Sequence, residues 1–233
     1  GGKMGQLNWN SAIADSGQIE VRQGGTLTLG TNHAFGWYGD EQRNRTVLVV
    51  DGGRVVCDAN YDQYVRRTFE LKNGAELYSS ATTPGKGISL GRDTNILVTE
   101  GEASLTGTMF IGCDSQHSNQ QNILNIAVQP GATLKIPASI NNGANQSNAD
   151  VDVEDMKFSG GGTIVLSGTT LNSYTRMQVA ADTTLLVNGT VSFVKPITFE
   201  ANAIVGGTGS IAPVSTDSST ASVTVSGGTK IKI

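Results

Sequence analysis

Short stretches of alternating apolar and polar residues recur along the whole chain. In residues 19–29, every second side chain is apolar on both sides of a Gly24-Gly25 pair. Alternation at a period of two predicts a half-buried β-strand on each side of that pair. The glycine pair predicts a tight corner, because such a corner needs a positive φ or a position without a Cβ atom.

This unit of strand, corner and strand occurs nine times. Its copies occupy residues 19–30, 47–57, 69–80, 96–107, 126–136, 156–168, 177–189, 197–209 and 223–233. The corners are marked by Gly24, Gly52, Gly74, Gly101, Gly131, Gly161, Asp182, Asn202 and Gly227. Successive markers lie 20 to 30 residues apart, which is typical of a structural repeat.

The repeat predicts an all-β protein, a single-stranded parallel β-helix (β-solenoid) of about nine coils. No helical pattern separates the copies, which excludes a doubly wound sheet. "ISLGRD" (88–93) and "MFIGCD" (109–114) predict one further strand in a turn, and "GWYGD" (36–40) resembles them loosely. An antiparallel sandwich stays open as an alternative, because "KNG" and "VDGG" fit hairpin turns.

From Gly160 onward the chain resembles the autotransporter-associated β-strand repeat, also called the passenger-associated transport repeat. The matching residues are Gly161, Gly162, Thr163, Leu166, Ser167, Gly168, Asn172, Tyr174, Thr175, Val179, Leu185, Leu186, Val187, Asn188, Gly189, Gly206, Gly207, Thr208, Gly209 and Ile211. The chain departs from the family at Arg176, Met177 and Asp182, where glycines are usual. The resemblance implies a right-handed parallel β-helix in a secreted or outer-surface bacterial protein, acting as a stalk, with no catalytic residue.

These observations predict one continuous β-helix over residues 1–233. Residues 1–159 form irregular coils with loop insertions, 160–213 form the autotransporter-type repeat, and 214–233 form the last coil. Because "GGTKIKI" stops on a strand, we expect either that the natural chain continues or that Lys230 and Lys232 guard an edge strand.

The composition limits the kinds of partner that this chain can bind. The chain has 16 Lys and Arg against 20 Asp and Glu, so its net charge of −4 supplies no basic surface for nucleic acid or an anionic membrane. No apolar run reaches the length of a membrane-spanning helix, so we expect no membrane insertion by this segment. Cys57 and Cys113 are too few for a disulfide framework, and burial as small apolar residues is the favoured interpretation.

Acidic residues are densest at 150–155. Alternation places Asp150, Asp152 and Glu154 on one face, where carboxylates can bind Ca²⁺ or serve as the acid and base of a polysaccharide-cleaving enzyme. A solvated outer face is the favoured interpretation. The sequence therefore predicts no metal and no cofactor, and keeps these three residues as a weak alternative.

Two aromatic residues, Trp37 and Tyr38, are the candidates for ligand binding, because exposed rings beside polar groups stack on sugars. The competing interpretation is a lid over the first coils. His33 and His117 lie in polar loops, and no "GxSxG" elbow accompanies them.

The sequence as a whole favours a structural segment of a secreted or cell-surface bacterial protein, serving as a stalk, a display element or an adhesion scaffold. Its expected partners are host or environmental glycans or surface proteins. A β-helix that binds or degrades polysaccharides is the alternative.

Overall fold

The computed structural model describes residues 3–4, 18–29, 47–57, 62–65, 68–80, 82, 87–90, 94–111, 123–142, 155–168, 171–173, 176–193, 195–213 and 222–231. These ranges contain β-strands joined by turns and bends, and no helix. Every pairing between their strands is parallel, while an isolated bridge between Arg22 and Gly52 is antiparallel. The prediction of an all-β protein with parallel sheets is confirmed, and the antiparallel sandwich is wrong.

Within the described ranges, one sheet has nine strands, each contributed by the first half of a sequence repeat. In spatial order these are β2 (Gln18–Arg22), β4 (Val47–Asp51), β7 (Thr68–Lys72), β10 (Asn95–Glu100), β12 (Ile123–Val128), β15 (Asp155–Ser159), β18 (Arg176–Val179), β21 (Ile197–Phe199) and β24 (Val223–Val225). Spatial order follows chain order, so each repeat stacks directly on the one before it.

The described strands of the other sheet number sixteen, arranged in a main path and a branch. The main path runs through β1 (Lys3–Met4), β3 (Thr26–Leu29), β5 (Arg54–Cys57), β8 (Ala75–Ser80), β11 (Glu102–Ile111), β13 (Thr133–Ile136), β16 (Thr163–Leu166), β19 (Thr184–Val187), β22 (Ile204–Gly206) and β25 (Lys230–Ile231). The branch comprises β6 (Asp62–Val65), β9 (Gly87–Leu90), β14 (Ser139–Asn142), β17 (Leu171–Ser173), β20 (Thr190–Phe193) and β23 (Ser210–Pro213). The long strand β11 joins the two, because its first half pairs with β8 and β13 and its second half with β9 and β14.

The branch contains the further strand that "ISLGRD" and "MFIGCD" predicted. Ser89 pairs with Phe110 and Leu90 with Ile111, so these two segments stack in the register in which their sequences align. Strand β6 lies below them, with Val65 opposite Leu90. Strand β6 was not predicted, because "DQYV" lacks the glycine that marked the other two segments.

The corner residues adopt the conformation that their types predicted. Positive φ angles occur at eight of the nine markers, namely Gly24, Gly52, Gly74, Gly101, Gly131, Gly161, Asp182 and Asn202. At the last corner Gly228 has the positive φ, so the marker Gly227 was one residue too early. Asp182 at φ 60° and Asn202 at φ 63° replace glycine because their short polar side chains tolerate this region better than most.

Inward side chains from successive strands form a single apolar core. One column of the nine-stranded sheet places Leu48, Phe69, Ile96, Ile126 and Phe158 in register, and each is at most 1% exposed. The cluster of buried residues extends from Val21 to Ala203. Cys57 is fully buried within it, as predicted, whereas Cys113 lies outside the described residues.

Candidate functional site

The side chains that the sequence singled out for chemistry lie outside the described residues. These are Trp37, Tyr38, Asp150, Asp152 and Glu154, together with His33 and His117. Within the described ranges, no group of three or more His, Cys, Asp or Glu side chains could hold a metal ion. The ligand and metal hypotheses therefore stay predictions.

The acidic run ends at Asp155, which the structure does describe. Arg176 contacts this carboxylate with two nitrogens, Nε at 2.6 Å from Oδ1 and Nη2 at 3.1 Å from Oδ2. The two residues face each other on β15 and β18. A bidentate pair of this kind holds the carboxylate in a fixed orientation. Asp155 thus links two levels of the stack.

A shallow groove of about 470 Å³ lies where three successive levels turn from the main path into the branch. Each level contributes residues that follow β16, β19 or β22, and two of them, Thr190 and Ser210, are the first residues of β20 and β23. The lining consists of Ser167, Gly168, Asn188, Gly189, Thr190, Thr208, Gly209 and Ser210.

The glycines that line this groove lie where the backbones of successive levels approach too closely for a Cβ atom. A Cβ atom on Gly189 would lie 1.8 Å from the carbonyl oxygen of Gly168, and one on Gly209 would lie 2.0 Å from that of Gly189. The same holds for Gly168, whose Cβ would lie 2.1 Å from the Ala138 oxygen. At these three positions the groove is therefore lined by peptide backbone.

Polar side chains also line the groove. The backbone N–H of Thr208 donates to Asn188 Oδ1 at 3.2 Å, which joins two levels, and Ser167, Thr190 and Ser210 present hydroxyls nearby. The lining offers hydrogen-bond donors and acceptors but no carboxylate, imidazole or amine. It can hydrogen-bond a polar ligand, and its described residues include no group for acid–base catalysis.

Among the first levels, a cluster of linked polar groups covers the outer face of the main path. Arg54 Nε lies 2.7 Å from Glu76 Oε2, and the guanidinium carbon lies 4.7 Å from the centre of the Tyr78 ring. Thr106 Oγ1 donates to Glu76 Oε1 at 2.5 Å. Each group takes its partner from the next level, so the cluster joins β5, β8 and β11.

A row of alternating charges crosses the nine-stranded sheet at the carboxyl ends of its first four strands. Arg22, Asp51, Lys72 and Glu100 are neighbours in successive strands. Lys72 Nζ lies 3.6 Å from Asp51 Oδ2. The hydrogen bond and the charge of Glu20, with the charge of Asp51, raise the pKa of the exposed Arg22 guanidinium above its ordinary value. Opposite charges in register favour this alignment of the coils.

Sequence reasoning missed the groove and both charged clusters. The groove residues Ser167, Gly168, Asn188, Gly189 and Gly209 were noticed as family motif positions, and their recurrence after a strand was the available sign of a common corner. Arg54 and Glu76 are 22 residues apart, so only an alignment of the repeats by their corners would have paired them.

Comparisons with protein-family models, with curated proteins and with solved structures gave no match. The family resemblance therefore depends on the residues quoted for it. Among the described residues, no helix is long and apolar enough to cross a membrane.

Proposed function

We propose that this protein is a structural β-helix segment of a bacterial cell-surface or secreted protein of the autotransporter type. In this proposal the chain winds as a right-handed parallel β-helix of about nine coils. It serves as a stalk, a display element or an adhesion scaffold.

The observation that carries the proposal is the in-register stacking of parallel strands on one uninterrupted core. Nine strands follow chain order in one sheet, and buried apolar side chains extend from Val21 to Ala203. Such a stack gains stability from each neighbouring pair of levels and can be extended without changing its cross-section. These are the properties that a rigid spacer requires.

The outer faces support the same proposal. The described ion pairs and hydrogen bonds across levels, such as Arg54 with Glu76 and Arg176 with Asp155, connect one coil to the next. They occupy polar groups that a ligand would otherwise use. The exterior thus strengthens the rod while keeping it hydrated.

A display assay tests the proposal. The chain is placed between an epitope-tagged reporter and an autotransporter translocator, and the reporter is measured on intact cells by flow cytometry. We expect surface display with the native chain and its loss with Phe158→Asp, which puts a charge in the core. Phe158→Leu is the matched control and should retain display. Retention of the reporter inside cells with the native chain would contradict the proposal.

The dimensions are tested separately by small-angle X-ray scattering. Nine levels at a spacing of about 4.8 Å give a rod about 40 Å long. A markedly shorter maximum dimension along the rod would contradict the coil number.

Polysaccharide binding is a second candidate function, favoured by the hydroxyl, amide and backbone groups of the groove. A glycan array tests it with the native chain and with Asn188→Ala/Thr190→Ala. Loss of a defined glycan signal in the double variant would support binding in the groove. Absence of any signal with the native chain would reject polysaccharide binding and leave the scaffold as the single proposed function.

A further inference from the structure

The sequence contains three Asn-Gly pairs, and the structure describes both residues of two of them, Asn73-Gly74 and Asn188-Gly189. Asn-Gly is the dipeptide in which asparagine deamidates most readily, because glycine has no side chain to shield its backbone nitrogen. Gly143, the glycine of the third pair, lies outside the described residues. Asn73 and Asn188 are both exposed, so access of water does not distinguish the two described pairs.

Deamidation of such a pair proceeds through a succinimide ring. The glycine nitrogen loses its proton and attacks the Cγ atom of the asparagine, which forms a C–N bond and puts negative charge on Oδ1. The carboxamide nitrogen then takes up a proton and leaves as ammonia, and water opens the ring to give aspartate or isoaspartate. The rate therefore depends on how firmly the glycine N–H is held and on how the charge on Oδ1 is stabilised.

The surroundings of Asn188 favour this reaction. The backbone N–H of Thr208, in the next level, donates to Asn188 Oδ1 at 3.2 Å, so a fixed donor lies where the negative charge develops. In enzymes, loss of one such donor lowers the rate by about 100-fold or more. The Gly189 N–H donates to the Leu166 carbonyl at 3.0 Å, an ordinary distance. The described lining of the groove around Asn188 contains no carboxylate that would oppose the charge.

The surroundings of Asn73 oppose the same reaction. Its Nδ2 atom donates to Asp51 Oδ1 at 3.0 Å, so a carboxylate lies beside the group that must become negative. Lys72 Nζ, 3.6 Å from Asp51 Oδ2, offsets part of that charge. The Gly74 N–H donates to the Glu102 carbonyl at 2.6 Å, and this short bond holds its proton more firmly. Both features slow formation of the ring at Asn73.

We propose that Asn188 is a site of spontaneous deamidation in the folded protein, and that Asn73, in the same dipeptide, is protected. The change places a negative charge in a groove whose described lining has none. An isoaspartate also adds a methylene to the main chain, at a corner where the backbones of Gly168 and Gly189 lie too close for a Cβ atom. Deamidation would therefore loosen the stack at the groove as the protein ages. This inference does not depend on the proposed stalk function.

Peptide mapping by mass spectrometry, after incubation at mildly alkaline pH, tests the proposal. In the folded 233-residue chain, we expect Asn188 to deamidate about tenfold faster than Asn73, or more. In the chain unfolded in urea, Asn73 should be at least as fast, because the branched side chain of Val187 hinders ring closure more than that of Lys72 does. Equal rates in the folded chain, a faster Asn73, or a rate ratio that unfolding leaves unchanged would overturn the proposal.

Two variants separate the causes. Asp51→Ser removes the carboxylate beside Asn73 without creating a new Asn-Gly pair with Gly52, and should speed deamidation at Asn73 by about threefold or more while leaving Asn188 unchanged. Asn188→Gln is the matched control. Glutamine closes a larger ring far more slowly, so the acidic form of the folded protein on isoelectric focusing should disappear. An unchanged rate at Asn73 in Asp51→Ser would refute its protection by the carboxylate, and persistence of the acidic form in Asn188→Gln would refute the assignment to Asn188.

Discussion

Residues 47–111 and residues 155–213 stack a similar apolar core behind different exteriors. In the first region, charged side chains such as Arg54, Glu76 and Lys72 join neighbouring levels. In the second, the corners come every 20 or 21 residues from Gly161 to Asn202, and glycine lets the backbones of three levels almost touch. The comparison teaches that inward alternation sets the stack, while the exterior combines ion pairs and close backbone contacts in different proportions. Asp155 pairs with Arg176 in the second region, and Gly107 lies against the Ser79 backbone in the first.

Truncating a buried side chain should lower stability equally in both regions. Phe69→Ala and Phe158→Ala should each lower the free energy of unfolding by about 3–5 kcal/mol, because each ring is fully buried in the same column. Urea unfolding followed by circular dichroism measures the change. Val225→Ala, at an exposed position of the last level, is the control and should cost under about 1 kcal/mol. A large difference between the two phenylalanines would show that the regions do not share one core.

The glycines of the groove should not tolerate a Cβ atom, and the same holds for Gly107 in the first region, whose Cβ would lie 1.9 Å from the Ser79 carbonyl oxygen. Gly189→Ala should cost about 1–3 kcal/mol, because the new Cβ would meet the Gly168 carbonyl and force the levels apart. Gly227→Ala is the matched control. No heavy atom lies within 4 Å of its Cβ position, so thermal unfolding should show no loss of stability. Equal losses in both variants would mean that close backbone contact is not the cause.

Substitutions at the corners should differ in their cost to stability according to whether the new residue tolerates a positive φ. Gly131→Ala should cost about 1–2 kcal/mol, because its φ of 83° is unfavourable for a residue with a Cβ atom. Asp182→Gly should stay within about 0.5 kcal/mol of the native protein, since glycine adopts the same φ freely. Paired urea titrations measure both. A costly Asp182→Gly would reveal a role for the carboxylate beyond the turn.

The exterior ion pairs should have the smallest effect. Glu76→Gln and Asp155→Asn should each cost at most about 1 kcal/mol, because these pairs are partly exposed to solvent. Glu76→Gln should cost the more, since it also weakens the bond from Thr106. Urea unfolding at low salt and at about 1 M salt tests whether the loss is electrostatic. Salt screens the ion pairs, so the difference in unfolding free energy between each variant and the native protein should be smaller at high salt.

The strands and corners were predictable from the sequence because each is decided by local residue types. Alternation around Gly24, Gly74 and Asp182 marked strands whose bounds the structure places within a few residues. The groove was not predictable in this way. Asn188 and Thr208 meet only because two levels stack with a fixed offset, and neither position differs in type from the many polar residues around it.

By itself the sequence determined the alternation, the corner positions and their positive φ values, because period and backbone freedom are properties of nearby residues. Only the tertiary structure decided which strands are neighbours and in what register. Contacts such as that between Arg54 and Glu76, and the burial of Phe69 against Ile96, follow from stacking across 20 to 30 residues of chain. Pairing over such distances depends on the burial of whole columns, which no single segment encodes.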